Sequence, residues 1–261
     1  MESARIEYLL SFEIFRNSDN YKLYKKLRRF RQILHSLRQN YYLLTAAFKK
    51  FHASGPNKEF WNSTSFDRSN IQRRLSTVIL NYLSSASSII DISRTFSRNE
   101  LDPESLKAYS QLIKEKYMFD IEFLFLKKIR NFVLHYSLLE VGLQVSMNHE
   151  TGTTTKTYLS TERLLEWSDW NNEEKEFIKL HGKHLNFEPI IYRYHKIFLY
   201  TQDELYINIL KKYKNKIDNL ILEMEIFNKK CLELEMPNNL PFRTSEFRYL
   251  KYVVNKIGLE Q

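Results

Sequence analysis

Two residue types that interrupt regular structure are nearly missing from this chain, which has only 5 glycines and 5 prolines in 261 residues. A sandwich or barrel of short strands needs a turn roughly every 8–12 residues, and glycine and proline build many of those turns. A chain this short of them is expected to form long helices instead. Hydrophobic residues make up 43% and aromatics 15% of the chain. That excludes a disordered polymer and gives core enough for one large domain or two small ones.

The periodicity agrees. Residues 3–16 read as a short amphipathic helix. Asp19 or Asn20 caps a long one to about Ala53, with Leu23, Leu27, Phe30, Leu34, Leu37 and Tyr41 at helical spacing. Gly55-Pro56-Asn57 ends it, and 54–66 reads as a loop. Asp67 or Ser69 opens the next helix, which runs to about Phe96. Its centre, Ser84-Ser85-Ala86-Ser87-Ser88, is rich in small side chains and is read as a close packing face. Asp102-Pro103-Glu104 is a helix start, with a cap followed by proline at the first helical position. Helix continues through 104–118 and, after Asp120, as a strongly apolar helix to about Leu139.

At Val141 the period changes to two. Val141, Leu143, Val145 and Met147 alternate with small or polar residues, Glu150-Thr151-Gly152 offers a turn, and Thr153, Thr155, Thr157 and Leu159 alternate beyond it. This predicts a β-hairpin. A short helix from Thr161 follows, then one capped by Asp169 or Asn171. From about Pro189 to Met236 helix returns. Tyr206, Leu210, Tyr213, Ile217, Leu220, Met224, Phe227, Cys231 and Leu234 recur alternately four and three apart. That heptad presents one apolar seam to a helix of the same bundle or of a second subunit. Pro237 and Pro241 stop it, and 244–257 forms a last short helix. The expectation is a mainly α protein: a multi-helix bundle with a hairpin inserted at about 141–159 and a long C-terminal heptad helix. It is organised as a single domain over 1–261, with a core at about 1–140, the hairpin at 141–159 and a helical extension at 161–261.

The net charge of +9 is unevenly spread. No acidic residue lies between Asp19 and Glu59, an interval holding ten lysines and arginines. Such a stretch attracts polyanions, either nucleic acid or an anionic membrane surface, or it is simply a solvated helix face. Lys22, Lys25, Lys26 and Arg29 fall away from the apolar stripe and are the candidate RNA contacts. No apolar run approaches the ~20 residues that span a bilayer. The start, Met1-Glu-Ser-Ala-Arg, leads into no signal-peptide pattern, and the single cysteine suits a reducing cytoplasm. A cytoplasmic protein without a membrane partner is expected.

The chemistry sits in Phe125-Leu-Lys-Lys-Ile-Arg-Asn-Phe-Val-Leu-His-Tyr136. With 16 arginines and 7 histidines, Arg followed by His five residues later is expected about 0.4 times by chance, and requiring Asn after the Arg lowers this to roughly 0.03. At about 100° per residue, Ile129, Phe132, Val133 and Tyr136 fill a core stripe, while Asn131 and His135 stack at i, i+4 on another face. Arg130 starts about 7.5 Å below His135 along the axis and has the reach to swing toward it. Leu134 and Leu138 lie between Arg130 and Asn131, which suits packing against a second body. These side chains fit RNA cleavage without a metal. RNA carries its own nucleophile, the 2′-hydroxyl. An imidazole is a base near neutral pH, and a guanidinium offsets charge gathering on the phosphate. Asn131 can hold the phosphate or the imidazole. One histidine cannot be base and acid at once, and two facing copies of the motif would resolve this. The bland alternative pairs Arg130 with an acid such as Glu122 or Glu140 and makes His135 a core histidine.

Arg-Asn-x-x-x-His near the end of an apolar helix resembles the signature of the HEPN superfamily of helical ribonuclease-like proteins. The segment from Asn70-Ile-Gln-Arg-Arg-Leu through Asn81-Tyr-Leu-Ser-Ser to Asp91 also resembles the helix preceding that motif in bacterial members. The resemblance covers about 70–140 and, more loosely, 1–200. It implies a helical bundle that dimerises with its motifs facing, metal-independent RNA cleavage needing no cofactor, and roles in toxin–antitoxin or antiphage systems, with an antitoxin or defence partner. Arg130 and His135 would be catalytic, with Asn131 assisting. In some family toxins a tyrosine two residues after the histidine is modified by a partner enzyme. Here Ser137 holds that place and Tyr136 comes one residue early.

Other signals are weaker. His181-Gly-Lys-His184 has metal-ligand spacing but no acidic or cysteine companion, and reads as a loop coincidence. No glycine-rich phosphate loop exists. Cys231 sits on a heptad core position. Trp61, Trp167 and Trp170 can stack on bases, though tryptophans in a helical protein are usually core.

Overall fold

A computed structural model describes residues 2–54, 65–148, 152–236, 242 and 251. Residues 55–64 of the expected loop at 54–66 (with Gly55-Pro56-Asn57 and Trp61), the turn residues Glu150 and Thr151, the stop at Pro237 and Pro241 and, apart from residue 251, the helix at 244–257 lie outside the described residues, while residues 54, 65 and 66 are helical rather than loop. The described chain is mainly helical, with a small antiparallel sheet. In order it forms α1 (Glu2–Asn17), α2 (Asp19–Ser54), α3 (Ser65–Glu100), α4 (Pro103–Ile113), a π-helical turn (Lys114–Met118) and α5 (Ile121–His135). Then come β1 (Val141–Asn148), β2 (Gly152–Ser160), α6 (Thr161–Leu165), α7 (Asn172–Leu180), β3 (His184–Leu185), α8 (Glu188–Lys212) and α9 (Lys214–Glu233).

The hairpin falls where the period-two pattern placed it, pairing Val141 with Leu159 and Asn148 with Gly152. The sequence did not announce β3, a two-residue strand adding Leu185 beside Leu159 and His184 beside Ser160. Its formation turns His181-Gly-Lys-His184 into a tight reversal, with Gly182 at φ +63°. Asn171 caps α7 with a full capping box: its Oδ1 accepts from the Glu174 amide, and Glu174 Oε2 accepts from the Asn171 amide.

Three helices differ from expectation, α3 first, since it runs from Ser65 to Glu100 and not from Asp67 or Ser69 to about Phe96. The apolar helix after Asp120 ends at His135, four residues early, because Tyr136 leaves helical geometry (φ −125°, ψ −67°). The 206–234 heptad is carried by two helices, broken at Tyr213 (φ −102°, ψ 15°), where the tyrosine hydroxyl donates to Glu100 Oε2 at 2.9 Å. The seam faces inward: Leu210, Ile217, Leu220, Met224 and Cys231 are all buried.

The chain divides into two compact units. The first comprises Met1–Ile33, Ser97–Leu106 and Asp203–Gln261. Its core includes an aromatic cluster, where Phe12 and Phe15 of α1 pack on Phe227 (5.3 and 4.9 Å between ring centres) and on Phe242. Glu100 is buried there and accepts from Lys26 Nζ at 2.8 Å as well as from Tyr213.

The second unit comprises Leu34–Phe96 and Lys107–Gln202. Ile79, Tyr82 and Ile89 of α3, Phe125, Ile129 and Phe132 of α5, and Ile191 and Tyr194 of α8 are buried in it. Ser76 Oγ donates to the Leu139 carbonyl at 2.8 Å and Gln72 Nε2 to that of Val141 at 3.4 Å. The start of α3 thus lies by the far end of α5, and the two helices run antiparallel. Within Gln72–Glu100 of α3, the most apolar 18-residue window has a mean hydropathy of 1.2, which makes this the one stretch among the described residues long and apolar enough to cross a membrane, and 39% of that window is buried. Polar residues such as Asn81 and Ser84 interrupt it, so it is no continuous apolar run. A packed core helix meets the same measure.

Candidate functional site

The motif helix α5 is fixed at both ends. Asp120 caps it, its side chain accepting from the Glu122 amide at 3.0 Å. Arg193 of α8 then ties the first turn down, with Nη2 at 2.5 Å from Asp120 and Nη1 at 2.5 Å from Glu122. At the far end the Tyr136 and Ser137 amides both donate to the Phe132 carbonyl. Between these ends, Phe125 and Phe132 pack on Trp170 at 5.6 and 6.4 Å, and Trp167 meets Phe132 edge-on at 5.6 Å. Trp167 and Trp170 are therefore core residues.

Arg130 and Asn131 leave this packed face and line a cleft of about 260 Å³ between α3 and α5. The acids that might have neutralised Arg130 are occupied elsewhere, Glu122 by Arg193 and Glu140 by Arg163 at 3.2 Å. Arg130 Nε is enclosed and has no hydrogen-bond partner among the described residues. A buried donor without an acceptor is costly, and a ligand oxyanion would satisfy it.

His135 does not line the cleft. It is exposed at the last residue of α5, about 6 Å along the axis from Asn131 on the same face. It is not the core histidine of the bland alternative. Leu134, Tyr136 and Leu138 around it are 45%, 46% and 50% exposed, an apolar collar at the end of the motif helix.

The cleft also holds residues that the motif did not point to. Lys127 lies one turn before Arg130 and Asn131, and Ser87, Asp91 and Arg94 face it from α3. Asp91 Oδ1 is 3.8 Å from Arg94 Nη1. Their spacing, i, i+4 and i+7, was visible in the sequence, but their meaning depends on which helix α5 meets. Ala86 and Ser87, from the small-residue run, line the cleft where α5 comes alongside.

The candidate RNA contacts Lys22, Lys25, Lys26 and Arg29 belong to the first unit and are all exposed. Lys22 pairs with Asp19 at 3.1 Å and Lys26 with buried Glu100. Lys25 lies 5.2 Å from the centre of the Tyr21 ring.

A second set of titratable groups holds β2 against α8. His52 Nε2 lies 2.6 Å from Glu188 Oε1, an ion-pair distance without hydrogen-bond alignment. Thr157 Oγ1 donates to the same carboxylate, as does Tyr192 at 3.2 Å. Burial and the Glu188 charge push the Tyr192 hydroxyl up to about 12. Nearby, His195 stacks on Tyr41 at 3.5 Å, and burial, then the Arg38 charge, pull its imidazole down to about 4. Neither set opens onto the cleft.

Among the described residues no three His, Cys, Asp or Glu side chains gather as a metal ion requires. His184 stacks on Tyr158 at 3.9 Å and His181 meets Phe177 edge-on at 4.9 Å. Comparison with protein-family models, with curated proteins and with solved structures finds no match to this chain.

Proposed function

We propose that this chain is a metal-independent endoribonuclease of the HEPN type, cytoplasmic and acting as a homodimer, with a toxin or antiphage-defence role held in check by a partner protein. The observation carrying the reading is the pairing of Arg130 and Asn131 in one cationic cleft with an exposed His135 one turn beyond. In the reaction His135 takes the proton of a 2′-hydroxyl, and the oxygen attacks the adjacent phosphorus. The bond to the 5′-oxygen breaks, leaving a 2′,3′-cyclic phosphate and a 5′-hydroxyl. Arg130 offsets the charge gathering on the phosphate, and Asn131 positions it. The proton for the leaving oxygen comes from a second imidazole, the His135 of another copy. The collar of Leu134, Tyr136 and Leu138 supports this arrangement, because it offers that copy an apolar surface beside the histidine.

The test is RNA degradation by purified protein in EDTA, read with the chemistry of the ends. Cyclic phosphate ends, lost in both Arg130→Ala and His135→Ala, are expected. Activity that disappears with chelator, or survives both substitutions, refutes the reading. The placement of His135 outside the cleft favours a second reading, a non-catalytic module that binds RNA or a partner protein. It predicts salt-sensitive RNA binding with no cleavage.

A further inference from the structure

The turn that leads into α5 puts two apolar side chains into water and holds them there. Tyr117, within the π-helical turn, is buried: its ring lies 4.7 Å from Phe123 and 5.4 Å from Phe198, and its hydroxyl meets Thr201 Oγ1. The next two residues turn outward, Met118 at 55% and Phe119 at 81% exposed, and Asp120 then caps α5. The pair is a fixed knob on a pinned turn, not a frayed end. π-Helical turns are rare and recur at functional sites. Lys116 and Asp120, on either side of the knob, line a hollow of about 500 Å³ together with Arg193, Lys196 and Tyr200 of α8, and Tyr200 is half exposed. The acids at this end are answered within the fold. Asp120 and Glu122 take Arg193, and Glu115 Oε1 accepts from Gln111 Nε2 at 2.9 Å. Lys114, Lys116 and Lys196 are exposed and have no ion-pair partner among the described residues.

Three free ammonium groups around two projecting apolar side chains call for a partner that is anionic on its outside and apolar beneath. A nucleic acid meets the charge but offers Met118 no apolar interior. A protein groove must be shaped to the knob, whereas a lipid surface yields to it. We propose that this end of the second unit docks on an anionic membrane surface. Met118 and Phe119 enter the level where headgroups meet acyl chains, Tyr200 sits among the headgroups, and Lys114, Lys116 and Lys196 meet lipid phosphates, one of them seated in the hollow. Two apolar side chains bury too little to hold the chain on neutral lipid, so insertion and charge must act together. The cytoplasmic leaflet supplies the anionic lipid, which agrees with a cytoplasmic chain. Such a contact is peripheral, so it departs from the expected lack of a membrane partner without calling for a helix through the bilayer. It uses none of Arg130, Asn131 and His135 and stands or falls apart from the ribonuclease reading.

The test is flotation of the full chain with vesicles of phosphatidylcholine alone and of phosphatidylcholine with about a third phosphatidylserine. Binding to the anionic vesicles at least about tenfold tighter than to the neutral ones, and weaker as salt rises, is expected. Phe119→Asp should lower it by about tenfold or more and leave RNA binding, followed by anisotropy, unchanged. Replacing Lys114, Lys116 and Lys196 together with glutamine should lower it by about a hundredfold, since each cation at an anionic surface is worth about fivefold. An environment-sensitive dye on Met118→Cys should brighten on anionic vesicles, and one on Glu173→Cys in the first turn of α7 should not; the native Cys231 is buried and escapes labelling. Circular dichroism checks that each variant folds, and if Phe119→Asp does not, the pair of dyes decides. No binding to either vesicle, equal binding to both, indifference to Phe119→Asp, or a Met118 dye that stays dim overturns the proposal. Loss of RNA binding on replacing the three lysines, with no vesicle bound, gives this surface to RNA and overturns it as well.

Discussion

Lys22 and Lys26 stand one turn apart on the same basic face, yet replacing them with alanine should have very different consequences. Lys22 pairs with Asp19 where both side chains are exposed (59% and 81%), so water and salt screen the contact and its loss should leave the unfolding curve unchanged. Lys26 is 55% exposed, but its partner Glu100 is only 4% exposed. Removing the ammonium leaves a buried carboxylate with the Tyr213 hydroxyl as its remaining side-chain donor. Breaking a fully buried pair from one side costs about 3–5 kcal/mol. With the lysine half in water we expect about 2 kcal/mol for Lys26→Ala, a fall in Tm on the order of 5 °C for a chain of this size. Adding Glu100→Gln should restore most of it, since an amide needs no counter-charge and still accepts from Tyr213. Urea and thermal unfolding followed by circular dichroism measure all three. Equal stability of Lys22→Ala and Lys26→Ala, or no recovery with Glu100→Gln, would refute the argument. The same reasoning sorts their roles toward RNA. If the basic face binds RNA as proposed, replacing Lys22, Lys25 or Arg29 with alanine should each lower the salt dependence of binding, and replacing Lys26, already committed to Glu100, should lower it less.

Three further outcomes follow from the packing. His195 holds about 4 in the fold against 6.5 unfolded, so the unfolded chain binds the extra proton between those values and stability falls as pH drops through that window, by at most about 1.4 kcal/mol per pH unit. His195→Phe keeps the ring on Tyr41 and should flatten that limb in unfolding curves taken from pH 7 to 4; an unchanged slope would mean another group carries it. A Cβ at Gly142 would fall 2.5 Å from Cε2 of Tyr158, whose ring is already stacked on His184. Gly142→Val should therefore cost about 1–3 kcal/mol and largely lose that cost in a Tyr158→Ala background, as a double-mutant cycle would read. Leu220 is fully buried in the first unit, so Leu220→Asp should destabilise by about 3 kcal/mol or more through an unpaired interior charge. An intact melting curve combined with a dissociated oligomer would instead place that seam between subunits.

The helices were legible because their signals are local. The cap at Asp169 or Asn171, Pro103 at a helix start and the four-three spacing of Leu23, Leu27, Phe30 and Leu34 each need only near neighbours in the chain, and the structure chose Asn171. The break at Tyr213 was not, since it coincides with a hydroxyl bond to Glu100, 113 residues away. The two residues of β3 are too few to carry a period and exist only because β2 offers an edge. At the site, the motif located Arg130 and Asn131, and the helical wheel put His135 on the same side as Asn131. Which surface faces them is a tertiary fact. Arg94, Lys127 and Ser87 gained their place from the antiparallel run of α3 beside α5, which no spacing within either helix reveals.

The central claim is that one chain carries half of a cleaving site. It is tested most directly by mixing wild-type protein with a growing excess of His135→Ala, allowing the chains to exchange, and measuring RNA cleavage in EDTA. If a second imidazole is required, wild-type chains drawn into mixed pairs fall silent and activity per total chain drops as the square of the wild-type fraction. If activity follows the amount of wild-type chain alone, whatever the excess of variant, each chain holds a complete site and the two-copy account is wrong.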